Sequence, residues 1–131
     1  MFIGCSSGTD KPTRLEQAEA AVPAISVMEL KQLIDAGQDI FLLDVRRDSE
    51  FVAERLSSAD LRITHDSLEF NLARLPQDKA TGIYCFCRGG VRSARATRYL
   101  LSVGYLNVYN VAGGMLAWKE NGFETVSGSA D

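Results

Sequence analysis

Two short apolar runs do most to constrain what this chain can fold into: "IFLLDV" at residues 40–45 and "GIYCF" at residues 82–86. Each is too short for a stable helix, and each is apolar at successive positions, so both of its faces need burying. A strand inside a parallel sheet, covered by helices on either side, meets that need. The intervening segments agree. "AISVMELKQLIDAG" reads as a short strand followed by a helix, with Ser26 and Glu29 forming a capping box. Leu30, Leu33 and Ile34 make its apolar face, and Gly37 sits where a C-terminal cap belongs. "DSEFVAERL" predicts a short helix and "ADLRI" a weaker strand. "SLEFNLARLP" predicts a helix with Leu68, Leu72 and Leu75 on one side and Pro76 closing it. "SARATRYLLSVG" reads as a helix stopped by Gly104, "NVYNV" (107–111) as a strand, and "GMLAWKENG" as a last helix capped by Gly122. Strand and helix alternate with short connections. The expectation is an α/β domain over residues 24–126, three layers deep, with a mostly parallel central sheet and helices on both faces.

The rest of the chain bounds the function. With 131 residues there is room for one domain and its core, not two. A net charge of −3 gives no global attraction to nucleic acid or an acidic membrane, and the few aromatics are not interleaved with basic residues. No nucleic-acid partner is expected. No apolar run reaches 18 residues, so no membrane span is expected. Residues 1–22 read as a tail or tether and 127–131 as a C-terminal tail. "MFIGCSSGTDKPT" resembles the end of a bacterial lipoprotein signal, with Cys5 as the lipid-bearing residue, although the charged start and most of the apolar stretch are missing. Either that likeness is real and Cys5 anchors the protein at the cell envelope, or it is chance and the protein is cytoplasmic.

In an open α/β sheet, ligands bind beyond the carboxyl ends of the strands. "GIYCF" ends there in Cys87-Arg88-Gly89-Gly90-Val91-Arg92-Ser93, which runs into a helix. Backbone N–H groups of a glycine-containing loop, the helix dipole and two arginines all favour a thiolate at Cys87. No histidine base is then needed, and His65, the one histidine, reads as a helix-entry residue. The two glycines permit the backbone angles that a loop curled around one atom demands. Cys85, two residues earlier, reads as a small core hydrophobe, or else as a second thiol that accepts a group from Cys87 or protects it by transient pairing. Strand alternation puts both on one face if the strand continues to residue 87. The three cysteines and one histidine supply no metal-site spacing, and no cofactor is expected.

"CRGGVRS" resembles the active-site loop of the rhodanese sulfurtransferases, Cys-Arg-x-Gly-x-Arg-Ser/Thr. "LLDVRRDSEF" resembles the family's Asp-Val-Arg strand with Glu-Phe after it, and "NVYNVAGGMLAWKENGF" its closing strand, Gly-Gly turn and Trp-bearing helix. The resemblance covers about residues 24–126 and implies a single-domain, rhodanese-like fold. It implies that Cys87 takes a sulfane sulfur from thiosulfate or a related persulfide donor. The Cys87 persulfide then passes it to cyanide, a thiol or a protein cysteine, as in the thiosulfate:cyanide class. Arg88, Gly89, Gly90, Val91, Arg92 and Ser93 would bind the anionic donor. One departure stands out. The family's Gly-His-Ile-x-Gly-Ala turn is absent, with Glu54 and Arg55 in place of Gly-His and Ser58 in place of the second Gly.

Rival readings are a non-catalytic or carrier module of the same fold, and a Cys-dependent phosphatase or arsenate reductase. The latter typically place five residues between Cys and Arg, whereas Cys87 and Arg92 enclose four. Asp44 and Arg46 end a neighbouring strand. They read either as a surface ion pair or as support, with Asp44 orienting a loop arginine and Arg46 extending the anion site. Arg95 and Arg98 read as a solvated face or an attracting rim. Trp118, Leu116 and Phe123 read as core.

Overall fold

The computed structural model describes residues 22–128. The tether reading for residues 1–22 and the lipid-anchor reading of Cys5 therefore lie, but for residue 22, outside the described residues. Five strands form one parallel sheet: β1 (Ala24–Ile25), β2 (Phe41–Asp44), β3 (Leu61–Arg62), β4 (Gly82–Phe86) and β5 (Asn107–Val111). Their order is β1-β5-β4-β2-β3, and every pairing is parallel. Among the described residues four α-helices accompany them: α1 (Val27–Asp35), α2 (Asp48–Ala53), α3 (Val91–Ser102) and α4 (Gly114–Glu120).

The sheet divides the core in two. Leu43, Val45, Ile83, Cys85 and Cys87 pack on one face with Ala96 and Leu100 of α3. Leu42, Phe86 and Val111 pack on the other with Val27 and Leu30 of α1 and Met115 and Trp118 of α4. Successive residues of β2 and β4 thus feed opposite layers, as a strand buried on both faces requires. The capping box of α1 is present: Ser26 Oγ accepts from Glu29 N–H at 3.0 Å and Glu29 Oε1 from Ser26 N–H at 2.9 Å.

Two local expectations are corrected. "SLEFNLARLP" is not one α-helix but two 3-10 turns, His65–Phe70 and Leu72–Arg74. Asn71 interrupts it (φ −128°, ψ 19°), with its side chain donating to Ser67 C=O at 2.8 Å. Leu68 and Leu75 are still buried. Leu116 is not core but 49% exposed, unlike its neighbour Met115.

The chain closes around the segment where the family turn is missing. Arg55 and Val126 exchange both backbone hydrogen bonds, each 2.8 Å. Glu54 takes Lys119 at 2.9 Å and Thr125 Oγ1 at 2.7 Å, and Gly128 N–H donates to Val52 C=O at 2.7 Å. A hydrogen-bonded C-terminal segment thus supplies the backbone partners at this bend, and it extends past residue 126.

Candidate active site

β4 lies at the centre of the sheet, so Cys87 leaves it at the middle of the carboxyl edge. Residues 88–90 then curl into α3. Gly90 is the turning point, with φ +105°, a left-handed conformation that side chains resist. That turn aims its N–H back at the sulfur. Gly90 N–H donates to Cys87 Sγ at 3.0 Å, and Ser93 N–H reaches it at 3.4 Å. Ser93 Oγ lies 3.2 Å from the same sulfur. The cradle is sealed beneath, since Cys87 is 1% exposed and Ser93 fully buried, while Arg88 and Gly89 stand exposed above.

α4 holds the other side of the loop. Met115 N–H donates to Cys87 C=O at 2.9 Å and Leu116 N–H to Arg88 C=O at 3.0 Å. With these carbonyls turned towards α4, N–H groups later in the loop face the sulfur. Contact this close requires Gly114: a Cβ there would stand 2.2 Å from Cys87 O and 2.7 Å from Arg88 O. The Gly-Gly turn before α4 carries no chemistry-bearing side chain, and its role emerges only from this contact.

The arginines divide their work. Arg92 is bound by Glu50 of α2 through two parallel bonds, Nη1–Oε1 at 2.7 Å and Nη2–Oε2 at 2.9 Å. The Arg92 hydrogen bonds hold the Glu50 carboxyl down at about 2, below its ordinary 4.5, despite partial burial. Glu50 is a site residue that sequence reasoning did not single out, although it is the Glu of the Glu-Phe pair. Arg88 has no ion pair among the described residues. It lines an open cleft of about 250 Å³ beside the loop, with Glu50, Ala53, Leu116 and Lys119.

Asp44 and Arg46 form an ion pair at 2.8 Å, but a buried one and not on the surface. Asp44 meets Arg46, not a loop arginine. Arg46 also donates to the backbone carbonyls of Glu54 (2.8 Å) and Glu50 (3.4 Å), so it fastens α2 to the end of β2, and it lines the same cleft as Arg88. The Val91 backbone continues directly into α3. Cys85 lies one layer below Cys87 on the same sheet face, fully buried, and burial pushes its thiol up to about 12. Arg95 lines a different cleft from Arg88, with His65 and Tyr99. Among the described residues no group of three or more His, Cys, Asp or Glu is placed to hold a metal ion.

Comparison with known proteins decides the family. The Rhodanese-like domain pattern matches residues 26–121, most of the chain. The chain belongs to the rhodanese-like domain family. This rhodanese-like domain is 37% identical to a putative sulfurtransferase of Bacillus subtilis over 99 residues, 75% of this chain and 91% of that protein. It is 31% identical to a sulfurtransferase of Allochromatium vinosum over 106 residues, 81% of this chain and 96% of the other. Its fold superposes on a thiosulfate sulfurtransferase from Pseudomonas aeruginosa with a TM-score of 0.77 and 26% identity, covering 86% of this chain but 22% of that larger one. A polysulfide-sulfur transferase from Wolinella succinogenes gives 0.74 and 28%, covering 89% of this chain and 87% of that one.

Proposed function

We propose that this rhodanese-like domain is a sulfurtransferase of the thiosulfate:cyanide type, working through a persulfide on Cys87. The observation that carries the reading is the convergence of Gly90 N–H and Ser93 N–H on one sulfur atom. Fixed donors around a sulfur stabilise an anion without reorganising during reaction. In the first step the Cys87 thiolate attacks the outer sulfur of thiosulfate. The new bond joins Cys87 Sγ to that sulfur, the old S–S bond breaks, and sulfite leaves with its electron pair. The terminal sulfur of the resulting persulfide carries the negative charge. In the second step cyanide or a thiolate takes that sulfur, and Cys87 returns as thiolate. The cycle is covalent and ping-pong.

Arg88, exposed at the cleft, is the guanidinium available to meet the donor's anionic end. Arg92, held by Glu50, contributes positive charge at the start of α3. Gly89 and Gly90 let the loop close on the sulfur, Val91 carries the chain from loop to helix, and Asp44 and Arg46 brace α2 from below. Four residues between Cys87 and Arg92 make a cradle suited to a single sulfur atom more than to a tetrahedral phosphate.

Steady-state kinetics with thiosulfate, polysulfide and glutathione persulfide against cyanide and a thiol tests the reading. Parallel double-reciprocal lines with at least one donor are expected. Hydrolysis of an aryl phosphate without sulfur transfer from any donor would overturn it.

A further inference from the structure

One buried polar atom beside the cradle has no partner. Asn110 of β5 is fully buried, and its Nδ2 meets no acceptor among the described residues. Its Oδ1 lies 2.5 Å from Ser93 Oγ. A buried donor left unmatched is costly, so such a group calls for a reason.

Counting hydrogens supplies one. Two oxygens that close share a hydrogen, and an amide carbonyl has none to offer. The single Ser93 hydroxyl hydrogen is therefore directed at Asn110. Towards Cys87, 3.2 Å away, Ser93 Oγ can then only accept, and the donor is the Cys87 S–H. This arrangement fits a neutral thiol. Once Cys87 gives its proton to solvent, sulfur and hydroxyl oxygen face each other as two acceptors. Ser93 can donate to the sulfur only by releasing Asn110 Oδ1, which leaves two bare oxygens 2.5 Å apart. A half-turn of the Asn110 amide resolves that conflict. It brings Nδ2–H to Ser93 Oγ, keeps the same shape, and gives up no Nδ2 hydrogen bond to any of the described residues.

We propose that Asn110 is a positioning residue for Cys87 and acts through Ser93. Its carbonyl takes the Ser93 hydroxyl when Cys87 is a thiol, and its NH2 supports Ser93 as a donor when Cys87 is a thiolate. The inference rests on Cys87 being the working thiolate, but it concerns ionisation and not turnover.

The ionisable groups packed around Cys87 come from several elements. They are Cys85 on β4, Asp44 and Arg46 at the end of β2, Glu50 on α2, Arg88 in the loop and Arg92 on α3, while Tyr109 of β5 stacks on Tyr84 on the opposite face of the sheet. The ion pairs Asp44–Arg46 and Glu50–Arg92 are closed within themselves. A Cys87→Ser control separates any remaining titration from that of Cys87.

The test is the pH profile of Cys87 alkylation by iodoacetamide, which needs no sulfur donor. Asn110→Asp keeps the shape, but its carboxylate accepts from Ser93 and cannot donate to it. Alkylation at pH 7 should slow about tenfold, with the profile displaced to higher pH. In a Ser93→Ala background the same substitution should cost about threefold or less. Equal slowing in both backgrounds, or none in either, overturns the proposal. A second measurement uses the unaltered protein: the Asn110 side-chain NH2 resonances in nitrogen-15 NMR should shift over the pH range in which Cys87 becomes reactive, and stay still in Cys87→Ser. Resonances that do not move as Cys87 ionises overturn it equally. Failed sulfur transfer with this coupling intact would count against the proposed function alone, and lost coupling with normal sulfur transfer against Asn110 alone.

Discussion

Glu50 and Arg92 join the helix before the cleft to the helix after the loop, through two parallel charge-assisted bonds of 2.7 and 2.9 Å. The pair spans 42 residues of sequence and fixes the arginine that closes the Cys87 loop. Because the folded Glu50 titrates near 2 and not 4.5, its ionised form stabilises the fold fully above pH 4.5, and that contribution is lost as pH falls through 2. Glu50→Gln should therefore lower the melting temperature at pH 7 by about 4 °C, corresponding to about 1 kcal/mol for a half-buried, partly screened pair. The gap between variant and wild type should narrow steadily between pH 4.5 and pH 2 in thermal scans. A gap independent of pH would mean that the carboxylate charge is not what matters.

Gly114 is the contact on which the loop leans. Its φ is +51°, and a Cβ would run into the carbonyl oxygens of Cys87 and Arg88. Both atoms are backbone and cannot step aside cheaply. Gly114→Ala should destabilise by about 2 kcal/mol or more in urea unfolding. It should also depress sulfur transfer further than the stability loss explains, because the loop must shift. Gly37→Ala, with open space around it, should pay only for its left-handed backbone and leave sulfur transfer unchanged.

Arg88 is exposed at the cleft and has no ion pair among the described residues, whereas Arg92 is already engaged. An anionic donor should therefore depend on Arg88 for binding. Arg88→Leu should raise KM for thiosulfate about tenfold with a smaller change in kcat, and the effect should shrink at high salt. An unchanged KM would remove Arg88 from the donor site.

Cys85 lies beneath Cys87 with its thiol pushed up to about 12 by burial, so it stays protonated at neutral pH. A neutral, enclosed thiol is a poor sulfur acceptor. Cys85→Ser should keep at least about half of the sulfur-transfer rate, with a modest stability loss from a hydroxyl in an apolar layer. A loss as deep as that of Cys87→Ser would assign Cys85 a part in the transfer.

What could be read from the sequence was what local pattern encodes. β4 and β5 begin and end where their apolar runs do, and the Ser26–Glu29 box starts α1, because each signal lies within a few residues of its effect. The cradle was legible for the same reason: Cys87, Gly90 and Ser93 are close in sequence. The groups that hold it were not. Glu50 with Arg92, Ser93 with Asn110, and Gly114 with the Cys87 carbonyl all join elements apart in sequence, and no periodicity reports which partner a side chain finds. Asp44 differs, since its ion pair with Arg46 was one of the two local readings and only its burial went unread. Its carboxylate turns to Arg46, two residues away, and not to a loop arginine. The Asn71 break was missed because leucine spacing suits an α-helix, while a side chain bonding back to the backbone favours the tighter turn.

The central claim is that Cys87 carries the sulfur, and intact-protein mass spectrometry after incubation with thiosulfate tests it most directly. The wild type and Cys85→Ser should each gain one sulfur atom, mapped to Cys87 by peptide analysis and discharged by cyanide as thiocyanate. Cys87→Ser should gain none. A wild type that gains no sulfur from thiosulfate, polysulfide or glutathione persulfide, or a Cys87→Ser variant that still does, would contradict the account.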